Sequence, residues 1–426
     1  MKAPRAMPPR DRRNAVCFCA GEALWGFAAS LMASATVLSM CLRHFGADER
    51  MIGAIGTVDT AAVLFPQIFG MYLFSSKRNR KRRLILWHLI CMIPFVWLAA
   101  VAILHCERLS PRAVRWVVLG CWAGFMSNIG LVLAAWSDWV AHLFETRIRG
   151  TVFGLAMFAS ALSGTGGGLL AGTLLAKLEQ PRVFAWLYLA GGACACLSIV
   201  TFWRVDDPAD RDPEDPRRPR FGEMLARFRE SLADVNFRNF LVARILSSAG
   251  FCIVPLIAYH FSSAEGGGLS GDRIVRLGAA TTAGSALSNL LLGRLGDRHG
   301  HRLGLLAGSV AQIGTLTVLL ALTGPSACLT AYFLAGIVIG SSLVSHQNMM
   351  FETCPHDQRI AHLTVGSLVL GVFTSLLPLA AGAAAKRWDL RTVFSAALCV
   401  SIAALIWLLL RVKEPRVLLA RNAQYR

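Results

Sequence analysis

The sequence predicts an all-α membrane protein, with twelve transmembrane helices arranged as two pseudo-symmetric six-helix bundles. Three observations carry this. Runs of about 20 mostly apolar residues, the length that crosses a bilayer, recur along the chain. The basic residues between them fall mainly on alternate loops. One long polar stretch divides six runs from six, and short motifs on one side recur on the other.

Of the 426 residues, 55% are hydrophobic and 16% charged, below the roughly 25% of charged residues in soluble domains. The spans are read at 16–39, 51–73, 84–104, 113–136, 151–176, 183–203, 239–261, 273–293, 303–323, 326–350, 361–384 and 392–411. The ninth and tenth are separated only by the turn at Gly324-Pro325.

The formal net charge is +18, a value that elsewhere suggests nucleic acid. Its distribution says otherwise. With the N-terminus inside, thirty of the 43 Lys and Arg lie on cytoplasmic segments, twelve on outer loops, and Arg244 within span seven. That is the positive-inside bias. Its strongest parts are the N-terminal run (Lys2, Arg5, Arg10, Arg12, Arg13) and the run Lys77, Arg78, Arg80, Lys81, Arg82, Arg83. Both suit anionic membrane lipid. No soluble basic domain is present, so no nucleic-acid partner is expected. The expected location is the plasma (inner) membrane, multi-pass, with both termini cytoplasmic.

Residues 206–220 are rich in Asp, Pro and Arg and read as a solvated linker. Phe221, Leu225, Phe228 and Leu232 then recur at helical spacing, which predicts an amphipathic surface helix. The chain thus divides into a tail (1–15), a bundle (16–203), a linker with its helix (204–238), a second bundle (239–411) and a tail (412–426). The halves echo each other. Phe144-Glu145-Thr146 matches Phe351-Glu352-Thr353, Arg149 matches Arg359, and Val183-Phe184 matches Val393-Phe394, all at offsets close to 210 residues. Shared spacing of this kind marks a duplication.

The 12 cysteines lie mostly within spans, where cysteine acts as a small apolar residue. No Cys-x-x-Cys pair suggests a metal. Cys41 and Cys106, both near the outer face, are placed where a disulfide could form. The first span reads as retained, not as a cleaved signal peptide.

Between spans eight and nine stands Gly293-Arg-Leu-Gly-Asp297-Arg298-His-Gly300-His-Arg302. Polar and charged between two apolar runs, it reads as a tight cytoplasmic turn. Its order, Gly-x-Leu-x-Asp-Arg-x-Gly-x-Arg, resembles the signature loop of the major facilitator superfamily. The six-plus-six duplication with a long central loop is similar too, so the resemblance covers nearly the whole chain. It implies a carrier in which two bundles rock about a midplane site. The family's other copy of the loop, between spans two and three, has decayed here. Gly70-Met-Tyr-Leu-Phe74 keeps the Gly and Leu but has Phe in place of Asp.

In the intact copy, Gly293 and Gly300 permit close helix approach and a tight reversal. By the resemblance, Asp297 faces the positive N-terminal end of span five at Gly150-Thr151. Arg298 and Arg302 then suit Glu352, at the end of span ten. Together with Arg149 these residues make an expected cytoplasmic gate, anchored in the second half. The competing reading is that the loop only fixes topology, to which Asp contributes little.

Ionisable groups within spans are costly and therefore functional candidates. Glu22 lies about 9 Å into span one, Asp59 about 12 Å into span two and Arg244 about 8 Å into span seven. Spans one and seven are equivalent in the two halves. Glu22 and Arg244 either pair across the cavity, or Arg244 snorkels while Glu22 is held in its own half. Glu22 or Asp59 is the candidate for a coupling proton; the other reading of Asp59 is a hydrogen bond to Thr57 or Thr60. His346, Gln347 and Asn348 end span ten as a dense polar group facing the cavity or gate. Asn289 is a lesser candidate in span eight. Trp25, Trp122 and Trp136 are candidate cavity walls.

The sequence lacks phosphate-binding, zinc-protease and nucleophile-elbow motifs. Residues 266–271 match a dinucleotide fingerprint only formally, because no strand precedes them. The expected function is secondary transport of a small-molecule substrate, with protons as candidate coupling ion, by a monomer without a cofactor and without enzymatic activity. The alternatives are a non-transporting membrane sensor on the same fold and, more remotely, an intramembrane enzyme.

Overall fold

The computed structural model describes residues 7–47, 49–74, 79–207, 221–251, 256–257, 260–261, 263–269, 274, 277–278, 280–354 and 359–417. The calls on Lys2, Arg5, Thr57's side chain, Lys77, Arg78, the 208–220 linker and Ser270-Gly271 lie outside what is described. Two compact units form: Met1–Glu145 with Ala159–Arg220, and Thr146–Phe158 with Phe221–Arg426.

In the first unit, α1 (Pro9–Leu31) opens on a proline, whose missing N–H costs nothing in a first turn. A wide π turn, Ser34–Leu38, leads into α2 (Ser39–His44). Span two is not one straight helix. It divides into α3 (Glu49–Leu64) and α4 (Gln67–Leu73) at Phe65-Pro66, because Pro66 cannot donate to the helical ladder. Span three is interrupted too, as α5 (Arg80–Trp87), a π segment His88–Met92 and α6 (Ile93–Leu104). Pro94 withdraws its N–H and crowds the carbonyl four residues back, at Ile90, inside the widened turn. In α7 (Pro111–Leu143) the Ser110 side chain caps the start by accepting the Ala113 N–H. The remaining helices are α8 (Thr146–Lys177) and α9 (Arg182–Thr201). Leu31, Met32, Met92, Val118, Phe184 and Leu187 form the centre of this unit's core.

The second unit begins with α10 (Phe221–Ala233), where the amphipathic helix was expected, and α11 (Val235–Phe251). Next come α12 (Ala280–His299), α13 (Arg302–Ala321) and α14 (Gly324–Ser341). A π segment, Ser342–His346, joins α14 to α15 (Gln347–Thr353). The unit closes with α16 (Arg359–Arg387) and α17 (Leu390–Arg411). Asp389 caps α17 by accepting the Thr392 N–H, a bond that holds its carboxyl below the usual range. Phe261, Leu316, Cys328, Ala331 and Phe394 are central to the second core.

The twelve spans correspond to these helices. Nine helical stretches among the described residues are long and apolar enough to cross a membrane. The others are the proline-broken α3–α4, the seventh span, described only in part beyond Phe251, and α12, which is diluted by Ser, Thr, Asn and Gly. One expectation is corrected. The signature segment is not a ten-residue turn: α12 continues through Gly293 and Asp297 to His299. The reversal takes only Gly300, at φ 91°, and His301, since a left-handed glycine ends the helix. Cys41 and Cys106 are free thiols.

Candidate gate and cavity

The start of α8 crosses the end of α12 within the second unit. A Cβ at Gly150, Gly154 or Gly293 would come closer than 3.0 Å to atoms of the opposite helix, chiefly backbone carbonyls of Gly150 and Asn289 and the Asp297 carboxylate. Only glycines allow this approach. It brings Asp297 to the α8 backbone, where its two carboxylate oxygens accept the N–H groups of Gly150 at 2.8 Å and Thr151 at 2.5 Å. Because α8 starts at Thr146, these are N–H groups of its second turn, not its free first turn. The interaction is direct hydrogen bonding more than dipole attraction, which fades beyond the first turn. Asp297 is buried, and His301 Nε2 stands 3.8 Å from it.

Beside this pair, Glu352 is held by two guanidinium groups. Arg149 reaches it at 3.1 Å and also donates to Asn348 at 2.8 Å, while lying over the Phe351 ring. Arg416 grips both Glu352 oxygens, at 3.0 and 2.7 Å, in the fork geometry that suits a carboxylate. The same Arg416 donates to the carbonyls of Asp297 at 2.7 Å and Thr146 at 3.3 Å. One side chain thus links α8, α12 and α15. It belongs to the expected C-terminal tail, and no motif marked it.

The expected partners of Glu352 are corrected. Arg302 instead donates to the Leu408 and Leu409 carbonyls, and its backbone N–H goes to Glu414. Arg298 is exposed. Their places on the helix end and in the first turn of α13 turn them away from α15.

Within the same unit, Arg244 donates to Ser342 at 3.0 Å. His346 stacks on Phe240 at 5.4 Å, and Gln347 is half-buried. Asn289 is fully buried, with neither amide atom hydrogen-bonded among the described residues.

In the first unit, Asp59 is fully engaged. It accepts the Ser34 hydroxyl at 2.7 Å and the Trp122 indole N–H at 2.6 Å. Asp138 is paired with the buried Arg80 and with His142. At the decayed copy, Arg83 lies over the Phe74 ring and Trp87 packs edge-on against it. A cavity of about 160 Å³ is walled by Glu22, Trp25, His88, Trp136, Ser198 and Phe202, among others. Glu22 has no hydrogen-bond or ion-pair partner among the described residues.

Solved structures with this fold match nearly the full chain. The E. coli fucose:proton symporter FucP superposes with a TM-score of 0.72 at 12% identity, covering 94% of this chain and 98% of that one. A bacterial homologue of the iron transporter ferroportin gives 0.71 at 12%, covering 93% and 98%. The proton:xylose symporter XylE gives 0.66 at 14%, covering 96% and 99%. At such identities the likeness is one of fold. No curated protein sequence matches. The sequence model of the Major Facilitator Superfamily matches residues 18–271 and 240–424. With the duplicated six-helix units and the Asp297 signature in place, the chain belongs to the major facilitator superfamily.

Proposed function

We propose that the protein is a secondary active transporter of a small solute in the plasma membrane, with both termini cytoplasmic, working by alternating access. The carrying observation is the Asp297 carboxylate on the Gly150 and Thr151 N–H groups. It ties the first turns of α8 to the second unit, whereas the later turns of the same helix belong to the first. That helix contributes residues to both units. The Asp297, Glu352, Arg149 and Arg416 cluster is its cytoplasmic latch, made of a few discrete bonds that can break and re-form together.

Proton coupling is part of the proposal and rests on Glu22, a carboxyl in the first span that lines a cavity and has no hydrogen-bond or ion-pair partner among the described residues. Asp59, with both oxygens engaged, serves structure. Asp297→Asn is expected to slow uptake into vesicles while leaving insertion intact; wild-type rates would remove the latch. An imposed pH step should drive uptake in the parent and not in Glu22→Gln. A drive that survives that substitution would take Glu22 out of coupling.

A further inference from the structure

The first unit's cavity has an unusual combination of walls. Its indole and phenyl rings form one continuous cluster: Trp136 meets Phe202 edge-on at 4.7 Å, the His88 ring at 5.3 Å, and Trp25 meets His88 at 6.4 Å. Phe125 stacks on Trp25. The one carboxylate among the lining residues, Glu22, has neither an ion-pair nor a hydrogen-bond partner among the described residues. The one hydroxyl, Ser198, is already given to the Gly21 carbonyl at 2.7 Å. His88 has its Nδ1 at 2.7 Å from the Leu84 carbonyl, a bond that commits Nδ1–H and leaves Nε2 as an acceptor.

We propose that this cavity binds a small organic cation, a quaternary or protonated amine. Glu22 is half-buried among these rings, and a carboxylate drawn partly out of water without a partner is stabilised by an opposite charge. Aromatic faces attract a cation and add most when the site is desolvated. The volume of about 160 Å³ equals roughly five waters of liquid, enough for a small alkylammonium head. A polyhydroxylated solute fits poorly, because its many hydroxyls would meet rings and a hydroxyl already in use. As a statement about cargo, the proposal rests on the transport reading; as a statement about binding, it does not.

The test uses the purified full chain and two probes of nearly equal shape, choline and its neutral counterpart 3,3-dimethylbutan-1-ol, followed by tryptophan fluorescence. Choline is expected to bind saturably and at least about tenfold more tightly than the alcohol. Glu22→Gln should weaken choline at least about tenfold and leave the alcohol unchanged. Trp136→Leu should weaken choline with the carboxylate in place. Equal binding of both probes by the parent, choline affinity unchanged in Glu22→Gln, or no saturable choline binding would each overturn the site. The parent's choline-to-alcohol ratio needs no variant to fold. In vesicles, choline binding without choline flux would overturn transport of this cargo and leave the site standing. Flux of another solute without choline binding would do the reverse.

Discussion

Replacing Asp297 by Asn keeps the side chain's size and removes its charge. Both carboxylate oxygens are in use, by Gly150 at 2.8 Å and Thr151 at 2.5 Å. An amide has one acceptor oxygen and would turn its NH2 toward the second N–H. One bond to a charged group, worth about 1.5–3 kcal/mol, is lost, and the survivor becomes a neutral bond of about half the strength. The combined loss is about 2–4 kcal/mol. At about 1.4 kcal/mol per factor of ten, local release of α8 becomes roughly 30- to 700-fold more frequent. Hydrogen exchange read by mass spectrometry reports this directly. Peptides covering 146–158 should exchange faster by that factor, with α9 peptides unchanged. Unaltered exchange at Gly150 and Thr151 would refute the reasoning.

Glu352→Gln leaves Arg149 and Arg416 facing a neutral amide and should cost about 3–5 kcal/mol in unfolding experiments. Arg416→Ala should cost clearly less, because the Arg416 side chain is 24% exposed and that of Arg149 only 3%; equal losses would contradict the shared latch. Gly293→Ala should destabilise by about 1–3 kcal/mol through overpacking against α8. Gly168→Ala, where an added Cβ meets nothing within 4 Å, should gain up to about 1 kcal/mol from helix propensity, and thermal melts of the two separate the outcomes. Trp122→Phe removes a donor from Asp59 and should lower stability by about 1.5–3 kcal/mol, with no change expected if that bond is incidental.

The span count and the helix at Phe221–Ala233 were legible because apolar length and helical period are local signals. Helix breaks at Pro66 and Pro94 carried a signal that hydropathy averages away. The signature segment was misread as a turn because charge was taken to end the membrane helix, whereas helical geometry ends only where Gly300 reverses the chain. Asp297 and Gly150 could be linked through the family pattern. Arg416 could not: it lies 64 residues from Glu352, after the last span, in a tail with no pattern. The aromatic cavity was half legible. Trp25 and Trp136 stood out as large rings in spans, but His88 and Phe202 join them only because four spans, the first, third, fourth and sixth, converge there.

The most direct measurement is counterflow in reconstituted vesicles. Vesicles holding the full chain and preloaded with unlabelled choline, and in parallel with other small solutes, receive trace labelled solute outside. A saturable uptake, accelerated by the same solute inside and slowed in Asp297→Asn, is the expected result. Saturable binding of solutes to the purified chain, with no flux of any of them under any gradient, would contradict the carrier.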